Sequence, residues 1–199
     1  PETTVLADSV HEYFMHRLAK PLAPGDSVVM SFDMAAESHG FSYSVDNTEI
    51  VSNGTFVENV QFMPSIGYSA NSELSDDDDR KQEGLKPKSR MRPPTDPRTW
   101  ADNYISADAD WLDYDAIVST DPDQIAITSG YLQREWAENG RRYFHYKMDA
   151  PILNLWAFQS ARYALKTDRW LAPDGRTIDI AVYYHPTHTY NVSRMIDAV

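Results

Sequence analysis

The chain has 199 residues, a formal net charge of -12 and no cysteine. The acidity argues against DNA or RNA as a partner, since phosphate would be repelled. The missing cysteine excludes disulfides and thiolate zinc sites, and no apolar run approaches the ~20 residues of a membrane-spanning helix. Five Trp, twelve Tyr and seven Phe favour strands and large packing contacts.

In chain order, residues 1–7 carry no pattern, and residues 11–18 read as a strand that could partner the next one. Residues 27–34 follow the turn Pro24-Gly25-Asp26 and put Val28, Met30, Phe32 and Met34 on one face, the alternation of a half-buried strand. Residues 75–83 (SDDDDRKQE) place acids before bases, an order that suits a short helix because it opposes the helix dipole. Residues 86–98 are rich in Pro and Arg and predict an extended surface loop.

Short strands are predicted at 115–120 and 124–128, around Asp121-Pro122. Asn139-Gly140 predicts a type I′ hairpin turn, because both central residues must take positive φ. Residues 131–136 enter it and residues 142–148 leave it. A single strand is expected over 157–165. After the turn Pro173-Asp174-Gly175, residues 177–184 alternate cleanly, with Ile178, Ile180, Val182 and Tyr184 on one face. From Asn191, an expected N-cap, Val192, Met195, Ile196 and Val199 have the spacing of one apolar helical face. Residues 191–199 therefore read as the start of a helix leading into a further domain. The expected fold is all-β, a multi-sheet saddle or sandwich, with a short helix near 75–83 and a truncated helix at the C-terminus. Residues 1–199 form one β-rich N-terminal domain of a larger protein in this reading.

Sites of chemistry are sparse. His11 and His16 are five residues apart, rotated by about 140° on a helix, so they cannot share a metal there; on a strand they point to opposite faces. His185-Pro186-Thr187-His188 could bring two imidazoles together across a turn but lacks an obvious third ligand. His145 reads as packed among strand aromatics. Asp76 to Asp79 lack the spacing of a calcium loop and read as a solvated helix start. Asp108, Asp110, Asp113 and Asp115 surround Trp111, and their alternation is that of a strand's wet face. Trp100, Trp111 and Tyr114 together form a possible recognition surface for carbohydrate or protein.

Several segments share a resemblance: NGTFVENVQFMPSIGY at 53–68, DWLDYDAIVSTDPDQ at 110–124, YLQREWAENGRRYFHYKMD at 131–149, LWAFQSARYAL at 155–165, and the strand-to-helix stretch 177–199. Over residues 18–199 the chain resembles the N-terminal β domain of the aminopeptidase N-like zinc metallopeptidases. It resembles in particular the peptidase-like part of bacterial fusions of a transporter permease with an aminopeptidase. The resemblance implies a non-catalytic domain that packs on its own catalytic domain and walls a peptide cleft. It also implies attachment to the outer face of a bacterial inner membrane. Zinc would belong to the catalytic domain, because neither HExxH nor Gly-x-Met-Glu-Asn occurs in this sequence. No catalytic or metal residue is carried over. Family members can contribute a cleft Gln upstream of the Phe-Pro element, here Phe62-Met63-Pro64. The matching stretch 52–55 has no Gln. Asn53, beside Gly54, is the nearest substitute, and the same pair also reads as a plain turn.

Overall fold

Strands persist where an alternating stretch meets a hydrogen-bonding partner, and that condition sorts the expected elements. The computed structural model describes residues 2–10, 13–38, 49–67, 73–88, 92–101 and 111–199. The chain divides into two units, residues 1–35 and 36–199.

In the first unit, β1 (Glu2–Asp8) pairs antiparallel with β2 (Tyr13–Leu18), with a bulge between Thr4 and Leu6. The unpatterned N-terminal residues thus supply the partner of β2. Residues 27–34 are irregular and exposed, contrary to their alternation. β2 already has a partner, and without ladder hydrogen bonds a strand pattern has no strand to form.

The second unit is built on two antiparallel sheets. One has the order β3 (Ile50–Val51), β4 (Gly54–Glu58), β9 (Ala157–Ala161), β6 (Ile125–Ile127). The other has the order β5 (Asp115–Thr120), β8 (Arg141–Lys147), β7 (Tyr131–Glu138). The predicted Asn139-Gly140 turn joins β7 to β8, with φ of 49° and 76°. The expected strand at 157–165 is two strands: β9 stops at Ala161, and β10 (Ala164–Leu171) resumes in a separate ribbon with β11 (Thr177–Tyr184). No Gly or Pro marks that break.

The core lies where the two sheets face each other. Phe144 and Tyr146 of β8 pack on Ala126 of β6, with Val118 and Ile125 around them. Polar groups stitch the layers: Tyr146 Oη donates to the Ala126 carbonyl at 3.0 Å, and the Arg142 guanidinium to the Gln124 carbonyl at 3.3 Å. A second cluster joins Phe62, Tyr114, Trp156 and Phe158, with ring centres 5.0–6.1 Å apart. Phe62 reaches it from α1 (Asn59–Phe62), whose buried Asn59 bonds Asn154 and Trp156 and so holds the chain entering β9.

Burial pushes the Tyr146 phenol up to about 12, aided by the nearby Tyr183 and Glu135, while Arg142 opposes the rise. Burial also raises Tyr114 and Tyr163. The native state therefore keeps protons that the unfolded chain releases near pH ~10. Stability is complete below that pH and falls as pH rises from about 10 through 12. Urea midpoints measured across this range should decline, and Tyr146→Phe should flatten the decline. A profile unchanged by that substitution would place the alkaline transition elsewhere.

Three α-helices are described, all short. α2 (Asp77–Gln82) is capped by Asp76, whose carboxylate accepts from the amides of Asp78 and Asp79 at 2.9 and 3.1 Å. α3 (Val192–Asp197) buries Val192 and Ile196 against β10 and β11 and leaves Met195 and Val199 exposed. Asn191 sits at its N-cap but makes no side-chain capping bond, contrary to expectation. Among the described residues no helix is long and apolar enough to cross a membrane.

Candidate functional site

Asn53 and Gly54 belong to the β3–β4 hairpin. Val51 pairs with Gly54, so Ser52 and Asn53 form the turn, and Asn53 is exposed at its tip. Gly54 is required by packing. A Cβ there would collide with the Ser160 carbonyl oxygen of β9 and lie 3.1 Å from Ala161 Cβ. The turn is tied down from below by Arg162, which reaches the Ser52 carbonyl and pairs with Asp123.

Beside this turn the two sheets part around a hollow of about 330 Å³, whose polar wall includes Ser52, Thr55, Ser119, Gln124, Arg141 and Gln159. Arg141 is held in place by its own strand neighbour: Nε donates to Ser119 Oγ at 2.9 Å and Nη2 to the Ser119 carbonyl at 2.8 Å. Gln124 is buried, and its side-chain oxygen accepts from the Thr120 hydroxyl at 2.9 Å. A fixed guanidinium among hydroxyls and amides can hold a small polar or anionic group, such as a peptide carbonyl or carboxylate. Ser119 Oγ meets a cation rather than a base, so the arrangement binds without activating a nucleophile. No local motif singles out Arg141, Ser119 or Gln124. Ser119 and Gln124 flank the local turn at Asp121-Pro122, and the pairing of β5 with β8 brings Arg141 to them.

The other predicted positions scatter. Tyr114 is buried, its hydroxyl bonded to Thr128 Oγ1 at 2.6 Å, so it cannot join Trp100 and Trp111 as a recognition surface. Trp100 is 81% and Trp111 69% exposed. Trp111 borders a mainly apolar hollow of about 510 Å³ with Met148, Ile152 and Leu155. Asp108, Asp110 and His11 lie outside the described residues. Asp115 is no free acid: a hydrogen bond with His145 at 2.7 Å, then Lys147, holds its carboxyl below the usual range. His145 is accordingly a pairing partner on the outer face of its sheet. Asp76 is spent on capping α2. Among the described residues no group of three or more His, Cys, Asp or Glu is placed to hold a metal ion. HExxH is also missing from the sequence, and no zinc step is assigned to this chain. No family model, curated protein or solved structure matches this chain.

Proposed function

We propose that the chain is a non-catalytic β domain that packs against a larger catalytic domain and walls a peptide cleft. By the resemblance described above, the parent is a membrane-linked, aminopeptidase N-like zinc metalloprotein on the outer face of a bacterial inner membrane. The observation that carries this reading is the apolar side chain left uncovered on the β10–β11 ribbon and α3. Leu165 and Leu171 are exposed on one face of the ribbon and Trp170 on the other, and Met195 is exposed on α3. A two-stranded ribbon is marginal by itself, and large apolar groups left exposed on both its faces suit a ribbon that packs against further protein. The polar hollow beside the Asn53 turn supports a role in lining a cleft. In the parent, hydrolysis would use water activated by zinc held in the catalytic domain.

Reading the coding sequence beyond the codon of Val199 tests this. The expected result is a Gly-x-Met-Glu-Asn segment followed by HExxH and a downstream Glu. The same scaffold continuing without those ligands would make the parent a non-catalytic transporter accessory. A stop codon at once would overturn the proposal.

The exposed Trp111 at an apolar hollow favours a second reading, a binding module for carbohydrate or a protein partner. Tryptophan fluorescence should then change during glycan titration, whereas the cleft-wall reading expects no response.

A further inference from the structure

One arginine at the hollow beside Asn53 is held unlike its neighbours. Arg142 and Arg162, which donate to the Gln124 and Ser52 carbonyls of the hollow's lining, each also pair with a carboxylate, Glu135 and Asp123. With 30 acidic residues against 18 basic ones, such pairing is the ordinary fate of a cation in this chain. Arg141 is held by the Ser119 hydroxyl and carbonyl instead, and among the described residues it makes no ion pair. Those two bonds use part of its donor fork. The rest has no protein partner among the described residues.

Gln124 supplies a second donor. It is 4% exposed, and its side-chain oxygen accepts from the Thr120 hydroxyl. Its amide nitrogen has no protein partner among the described residues, and no buried side-chain nitrogen or oxygen there lacks one. That nitrogen is therefore not sealed in the core. It opens on the hollow that Gln124 lines. On the facing sheet, Thr55 of β4 and Ser160 of β9 are cross-strand partners, and both line the hollow. Ile50, Val118 and Phe158 make the rest of the wall apolar.

This donor set selects its ligand. A carboxylate is an acceptor with two oxygens, matched by a guanidinium and an amide N–H side by side. One unpaired cation balances one negative charge. A phosphate, with nearly two, would be opposed by Asp121 in the same wall and by the chain's net charge of -12. The apolar wall suits an aliphatic side chain next to the carboxylate. At about 330 Å³ the hollow is at the small end of ligand sites, ~300–1,000 Å³, and suits a chain end rather than a chain passing through.

We infer that this hollow binds the C-terminal carboxylate of a short peptide with an aliphatic last residue, Arg141 supplying the charge and the Gln124 amide a second donor. That the carboxylate belongs to a peptide rests on the cleft-wall reading; that the hollow takes a carboxylate does not.

The test is calorimetric titration of the intact chain with acetyl-Gly-Gly-Leu as the free acid and as its C-terminal amide. The acid should bind one to one, and the amide at least tenfold more weakly. Arg141→Gln should weaken the acid at least tenfold. Arg134→Gln should leave it unchanged, because Arg134 lies over the Trp136 ring and outside the hollow. Arg141 is exposed, so circular dichroism of its variant should match the starting chain. No binding of the acid, equal binding of acid and amide, or full affinity in Arg141→Gln overturns the inference. Inorganic phosphate bound as tightly as the peptide acid, in competition with it, also overturns it, in favour of a general anion site. Acetyl-leucine bound through Arg141 while the tripeptide is refused overturns the peptide half, and with it the support that the hollow lends to a cleft wall. The other failures leave the cleft-wall reading standing, since the coding sequence beyond Val199 decides it.

Discussion

Phe144→Ala should remove most of the stability of the unit spanning residues 36–199. Phe144 is 1% exposed and sits between the sheets, against Ala126 and Tyr146, with Arg142 placed 5.0 Å over its ring. Truncating a fully buried Phe costs about 3–5 kcal/mol, because the lost burial is joined by the cavity left behind. Ordinary domains have only about 5–15 kcal/mol in total. Few other large side chains share the load: among the described residues, Tyr146 is the only other large aromatic in this buried inter-sheet cluster. Its own strand, β8, is the middle strand of its sheet, so disorder there unseats both β5 and β7. The expected result is a large fall in the urea midpoint followed by tryptophan fluorescence, with partial unfolding in water at 25 °C. Ile117→Ala is the matched control. Ile117 lies on β5 but is 62% exposed on the outer face, and it should change stability by less than about 0.5 kcal/mol. Equal, small effects of the two would mean that the sheets do not pack through Phe144.

Gly54→Ala and Asn53→Ala, one residue apart, should behave as opposites. The added methyl at Gly54 meets backbone, not a flexible side chain, since its nearest neighbour is the Ser160 carbonyl. β4 and β9 can admit it only by moving apart, which strains a ladder running from Gly54–Ala161 to Glu58–Ala157. Overpacking of this sort costs about 1–3 kcal/mol or more. Asn53 is exposed in the turn, and its replacement should cost less than about 0.5 kcal/mol. The expected outcome in urea unfolding is a clear loss for Gly54→Ala and almost none for Asn53→Ala. If Gly54→Ala were as stable as the parent chain, the close approach of β4 to β9 would be wrong. Asn53→Ala then isolates any role of that amide in binding, because it leaves the fold in place.

Local signals in the chain announce several of its elements. The alternation of Thr177–Tyr184 and Asp115–Thr120 matches β11 and β5 to the residue. Asn139-Gly140 forms the hairpin turn, and Asp76 the start of α2. Each of these depends on near neighbours alone: side chains alternate along one strand, a residue accepts positive φ, a carboxylate caps the next turn. Partnership is not local. Residues 27–34 also alternate, if less cleanly than β11, yet they are not a strand, because β2 is paired with β1. Residues 157–165 read as one strand, but residues before Ala161 bond β4 and β6 while those after Ala164 bond β11.

The candidate sites divide along the same line. The His185–His188 turn is visible as spacing, but in the fold the Thr187 amide donates to His185 Nδ1 and occupies that lone pair. Tyr114 reads as a surface aromatic, but Thr128, fourteen residues away, takes its hydroxyl into the core. The hollow beside Asn53 joins Ser52 and Arg141 to the local pair Ser119 and Gln124, and nothing in the sequence near any of them announces that meeting. By itself, then, the sequence determined an all-β chain with few ionic or metal motifs, its main hairpin and the positions of α2 and α3, while α1 went unannounced. Strand order, the break after Ala161 and the contents of the hollow were decided by tertiary structure. The reason is that backbone hydrogen bonds in a sheet are satisfied by distant segments, and local sequence does not say which of several competent partners will be there.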